Sequence, residues 1–129
     1  MSSIGCSSDT RDLIGMGCDL VAILDIYFQE CNNLTGALVQ MKMQRYKTGS
    51  DDSLAQSNGL IRQVLTMVND VQYLIENEVF TITTVKDRGN VQEIIRLGIE
   101  AIDSVAWVTP DAFGAEHAQL TAQLAALRV

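Results

Sequence analysis

A chain of 129 residues is large enough for one domain with a modest core and too small for two independent ones. Nine basic residues against sixteen acidic ones give a net charge of -7, which opposes contact with a polyanion, so no nucleic-acid partner is expected. An apolar fraction of 47% with 5% aromatics and a single proline favours helices over a sandwich, and the most apolar run, Leu20 to Phe28, is broken by Asp25, far short of the roughly 20 residues of a membrane span.

Residues 1–10 are small and serine-rich, so they are expected to be mobile, with Asp9 or Thr10 capping the first helix. They lack the basic start and apolar centre of a cleavable signal peptide. The protein is therefore expected to be made in the cytoplasm and, if exported, to leave without a cleaved leader. Gly15-Met16-Gly17 has the outline of a phosphate-binding loop, but the preceding strand, the third glycine and the lysine are missing. Frayed helix is the favoured reading, with regular helix beginning near Cys18. Cys6, Cys18 and Cys31 form no CxxC pair, and the odd count supports neither a disulfide framework nor a zinc site. Cys31 lies among apolar residues, where a thiol serves as a small hydrophobe.

From Asp12 to Lys47 apolar or half-apolar residues recur in steps of three and four, at Leu13, Met16, Leu20, Ile23, Tyr27, Cys31, Leu34, Leu38 and Met41. That spacing is a helix stripe. Ile14, Val21, Leu24, Phe28 and Val39 widen it, while Lys42, Arg45 and Lys47 suit the carbonyl end of the helix better than a nucleic-acid patch. A polar turn comes next, and periodicity resumes at Leu54, Ser57, Ile61, Val64, Val68, Val71 and Ile75, giving a second helix from about Asp51 to Asn77. Two such helices joined by a short turn should pack antiparallel, the first reaching about 50 Å and the second about 40 Å. Apolar surface near the amino end is left over, to be covered by the later helices or by another copy. Leu20, Ile23, Leu24, Tyr27, Phe28, Leu34 and Leu38 are accordingly assigned to a self-association or partner interface.

Glu78 to Val85 is rich in β-branched residues and is the one strand-like stretch, read as an extended linker pinned by Phe80 and Ile82. Lys86 to Gly89 reads as a turn, and Asn90 with Glu93 as a capping box opening a third helix to about Val108. Thr109, Pro110 and Asp111 end it and start the last helix, which carries Phe113, His117, Leu120, Leu124 and Leu127. The expected fold is a single all-α domain over 1–129, an elongated antiparallel helix hairpin with two shorter C-terminal helices packed on it.

The residues that carry chemistry are sparse. His117 sits on the apolar side of its helix without a nucleophile beside it, and a single histidine does not build a zinc set. The carboxylate pairs Asp51-Asp52 and Glu76/Glu78 lie at helix ends, where solvated charge explains them. Trp107 reads as core packing, with an interface anchor second. No cofactor, no metal and no enzymatic activity are expected, and the class favoured is an assembly protein, a homo-oligomer; the alternatives are a helical adaptor or chaperone, or a phage virion component, that binds a partner helix.

The order of features resembles the filament-forming subunits of type III secretion systems. Leu54-Ala55-Gln56-Ser57-Asn58 is similar to that family's polar stretch, Val71 to Asn77 to the helix end before its central region, and Gly89-Asn90-Val91-Gln92-Glu93-Ile94-Ile95-Arg96 to the motif that opens its later helices. The likeness spans Leu20 to Ala101, while the family's terminal helix is longer than the one available before Val129. It implies a filament or tip subunit, secreted without a cleaved signal peptide under a dedicated chaperone that covers Leu20 to Leu38 beforehand.

Overall fold

A computed structural model describes residues 6–48, 54–106 and 113–127, with side chains described over 6–43, 57–106 and 113–127. Within them the chain is all-α: α1 Ser8–Gly15, α2 Leu20–Thr48, α3 Leu54–Glu76, α4 Val85–Val105 and α5 Gly114–Leu127. No strand occurs among the described residues, and none of the helices is long and apolar enough to cross a membrane. Residues 1–5, the polar turn at 49–53 with Asp51-Asp52, Trp107, and the Thr109-Pro110-Asp111 stop signal lie outside the described residues.

The opening rod expected from Asp12 is two helices. Gly17 takes φ +92, and the amides of Gly17 and Cys18 donate back to the carbonyls of Ile14 and Leu13 at 3.0 Å each, closing α1 in a Schellman turn. Asp19 then opens α2 by accepting from the amide of Ala22 at 2.9 Å. From Cys6 onward the amino-terminal segment lies against the core, with Cys6 and Thr10 buried. Ser7, rather than Asp9 or Thr10, is the cap of α1, its side chain accepting from the amide of Thr10.

Two expectations for the third long helix are corrected. Lys86 to Gly89 is not a turn and Asn90 with Glu93 is not its cap, because α4 has already begun at Val85 with Thr84 Oγ1 accepting from the amide of Asp87 at 3.0 Å. Gly89 inside a helix costs about 1 kcal/mol, a penalty outweighed by the apolar face beyond it, Val91, Ile94 and Ile95, all buried. The segment before α4 is irregular, with Phe80 and Ile82 packed partly buried against the core, as a pinned linker requires.

Packing centres on α2, α3 and α4. α2 makes its broadest contact with α4 and a lesser one with α3, while α3 and α5 each lie against α4. The expected shortness of the third helix is not observed, since α4 has 21 residues to the 23 of α3. α4 and α5 run antiparallel: Gln92 Nε2 donates to the Leu127 carbonyl at 3.1 Å, and His117 Nε2 stands 3.2 Å from Asp103 Oδ1 at the other end. Between these ties α4 presents Gly98, where an added Cβ would meet Val68 Cγ2 at 3.1 Å and Leu120 Cδ1 at 3.2 Å, so three helices converge on a position that only hydrogen fills easily. The large aliphatic side chains that are fully buried, Ile23, Leu24, Leu38, Ile61, Val64, Val68, Val71, Leu74, Val91, Ile94 and Ile95, come from α2, α3 and α4, and α1 adds the fully buried Thr10.

Candidate functional site

The α2 stripe supplies the first geometric result. Leu20, Ile23, Leu24, Tyr27 and Leu38 are buried within the chain's own fold, Leu34 is half-buried, and Phe28 alone of the seven is exposed, at 37%. Of the two candidate covers for the surplus apolar surface, the later helices supply most of it. Beyond Phe28, Val21 and Ile26 are the exposed large apolar side chains of the amino-terminal half of α2.

Where α1 meets α2 and α3 the core contains a polar cluster. Asp70 of α3 is 2% exposed, yet its carboxylate is well supplied with donors. Ser7 donates its amide to Oδ1 at 3.1 Å and its hydroxyl to Oδ2 at 2.6 Å, and Thr10 Oγ1 donates to Oδ2 at 2.6 Å. Because the Thr10 proton is directed at Asp70, the hydrogen bond between Thr10 Oγ1 and the Tyr27 hydroxyl has Tyr27 as its donor. The result is a one-way chain from Tyr27 through Thr10 to Asp70 that fastens α1 across both longer helices. A buried carboxylate is tolerated here because hydrogen bonds replace the water it has lost.

The same surroundings act on the neighbouring titratable groups. Burial pushes the Tyr27 hydroxyl above its ordinary range, opposed by its hydrogen bond with Thr10 and reinforced by the charges of Asp70, Asp9 and Glu30. The Cys6 thiol is raised by burial and by Asp70, with Arg11 opposing. Cys31, fully buried on α2, is pushed up to about 12, chiefly by burial and secondarily by Glu30, so it behaves as the small hydrophobe its place on the stripe suggests.

Above this cluster opens a cleft of about 510 Å³ between the three helices. Leu13, Ile26, Tyr27 and Met67 give it apolar walls, Asp9 and Asp12 from α1 and Glu30 from α2 an acidic rim, and Arg62 of α3 one cation. Three carboxylates against one guanidinium leave the rim negative at neutral pH. Sequence reasoning missed this site because its parts are spread from Ser7 to Met67 and no periodic pattern marks them. One signal was present: Asp70 falls between Met67 and Leu74 in an apolar row of α3, where an acidic residue needs partners.

His117 is half-exposed at the α4–α5 contact, facing Asp103. Its position suits a tie between helices. Among the described residues no group of three or more histidine, cysteine, aspartate or glutamate side chains is placed to hold a metal ion. The chain matches no family model, no curated protein and no solved structure.

Proposed function

We propose that the protein is a helical interaction module that binds a basic, apolar-anchored segment of a partner protein in the cleft between α1, α2 and α3. The observation that carries this reading is the combination of apolar walls at Leu13, Ile26 and Met67 with the carboxylates of Asp9, Asp12 and Glu30 at the rim. An amphipathic helix carrying lysines beside its leucines matches both, its apolar side chains entering the cleft and its cations meeting the rim. On this reading the protein is an adaptor and not an enzyme, and Asp70 with Ser7 and Thr10 serves to hold α1 in place as one wall.

The test is a titration of the fluorescently labelled chain with a leucine–lysine amphipathic peptide and with its leucine–glutamate counterpart. Binding by the lysine peptide alone, weakened about tenfold or more by the pair Asp12→Lys and Glu30→Lys and reduced by added salt, is the expected outcome. Equal binding of both peptides, or indifference to the charge reversal, would remove the cleft from consideration.

A second reading, homo-assembly as a type III secretion filament or tip subunit, is favoured by Val21 and Phe28, which lie two helical turns apart on one face of α2 and are both exposed. It takes the α2–α3 hairpin as an elongated scaffold whose copies meet along that edge. A dedicated chaperone belongs to this reading, masking the α2 stripe before the bundle closes.

A further inference from the structure

A separate cavity lies between α3, α4 and α5. It measures about 150 Å³ and is lined by the apolar side chains of Ile75, Val91, Ile95 and Leu127 together with the carboxamides of Gln72 and Gln123. Gln72 is 8% exposed, and among the described residues its buried Nε2 has no hydrogen-bond partner; the buried Oε1 of Gln123 likewise has none among them. Leaving a buried amide group unpaired costs about 1–3 kcal/mol. Two such groups belong to residues that line one small, largely apolar cavity, one a donor and the other an acceptor. With both carboxamides rotated together the donor and acceptor exchange places, and a guest offering one of each satisfies that arrangement as well once it is turned round.

We infer that this cavity is a binding site for a small neutral molecule carrying one amide edge, a lactam or primary carboxamide on a compact apolar body. Its carbonyl accepts from Gln72 Nε2, its N–H donates to Gln123 Oε1, and its hydrocarbon part lies against Ile75, Val91, Ile95 and Leu127. A cavity of this size holds about one six-membered ring. A carboxylate is disfavoured because it has no donor for Gln123 and would bring a charge against apolar walls beside Glu76, which also borders the cavity. The bond from Gln92 to the Leu127 carbonyl holds the end of α5 in place as one wall. The inference stands apart from the α1–α3 cleft and from either reading of its partner.

The probe is δ-valerolactam, titrated into the isotopically labelled full chain and followed by nuclear magnetic resonance, with cyclohexanone and sodium valerate as controls. Expected are saturable shifts of the Gln72 and Gln123 side-chain amide signals with the lactam, about tenfold weaker binding of cyclohexanone, which has no donor, and none of valerate. Gln72→Met and Gln123→Met should each weaken the lactam about tenfold while leaving distant signals in place. Should Gln72→Met fail to fold, the half-buried Gln123 position still supplies the comparison. Equal binding of lactam and ketone, or methionine variants that only gain stability while the lactam is ignored, would mean that the two amides hold nothing more than water, and the site would be withdrawn.

Discussion

Asp70 is a charged residue set into a row of hydrophobes, and its neighbours decide whether that is a defect or a fastening. Three donors converge on it, two from Ser7 and one from Thr10, residues 60 or more positions away in sequence. Hydrogen bonds to a charged group contribute about 1.5–3 kcal/mol each when formed in a buried setting, and removing the acceptor strands the donors as well. Asp70→Ala should therefore lower stability by about 2–4 kcal/mol in urea unfolding. Thr10→Val should cost clearly less in the Asp70→Ala background than in the parent chain, because both remove the same contact. Additive losses would show that the cluster does not act as a unit. Such a cluster is hard to read from sequence, since Ser7 and Thr10 sit in a stretch whose composition suggests mobility. Only the acidic residue between Met67 and Leu74 points to it. The α2 stripe was easier: Ile23, Tyr27, Cys31 and Leu38 are spaced as a helix face and are buried as one, and what the spacing left open was whether the cover comes from within the chain.

At the scale of helices, periodicity located the long elements and end chemistry decided their limits. α1 and α3 both close in Schellman turns, but with different residues at the left-handed position. Gly17 takes φ +92 after α1, whereas Glu78 takes φ 60 after α3, with Glu78 and Val79 donating to the carbonyls of Ile75 and Leu74 at 3.2 and 2.9 Å. A side chain is strained there, and a negative charge at the carbonyl end of a helix opposes the macrodipole, with Glu76 adding a second. Glu78→Gly should raise stability by about 0.5–1 kcal/mol, seen as a higher urea midpoint with an unchanged slope, and Glu78→Ala should give only the part of that gain that comes from removing the charge, because it keeps the Cβ. A drop in stability with glycine would mean that the Glu78 side chain makes a contact outweighing its strain. The stop of α3 at Glu76 was legible to within a residue, but the Glu78 turn has no glycine to announce it, and the run of β-branched residues through Val85 hid the start of α4. Thr84 with Asp87 three positions on was the available signal, and the more conspicuous Gly89-Asn90 pair drew the boundary inward.

For the molecule as a whole the question is whether copies of this chain associate, and burial, area and charge bear on it together. Most of the α2 side chains assigned to joining another copy are already inside, and of the exposed apolar side chains left on α2, Ile26 lines the cleft, Met43 lies far along the helix, and Val21 and Phe28 share one face. These lie about 10 Å apart along the helix and offer far less than the roughly 800 Å² per partner of a stable interface. A net charge of -7 on each copy adds repulsion, and Asp25 lies between the two side chains in sequence. Sedimentation over a wide concentration range should therefore show a single species near the 14.1 kDa of one chain. It should persist when salt shortens the screening length from about 10 Å at 0.1 M to about 3 Å at 1 M, a change that would promote contact if charge alone kept copies apart. Particles that grow with concentration, grow further with salt, and revert to one chain in Phe28→Glu would instead place the Val21–Phe28 edge at the centre of the protein's work. The partner cleft would then be secondary, because Phe28→Glu leaves Leu13, Ile26 and Met67 untouched.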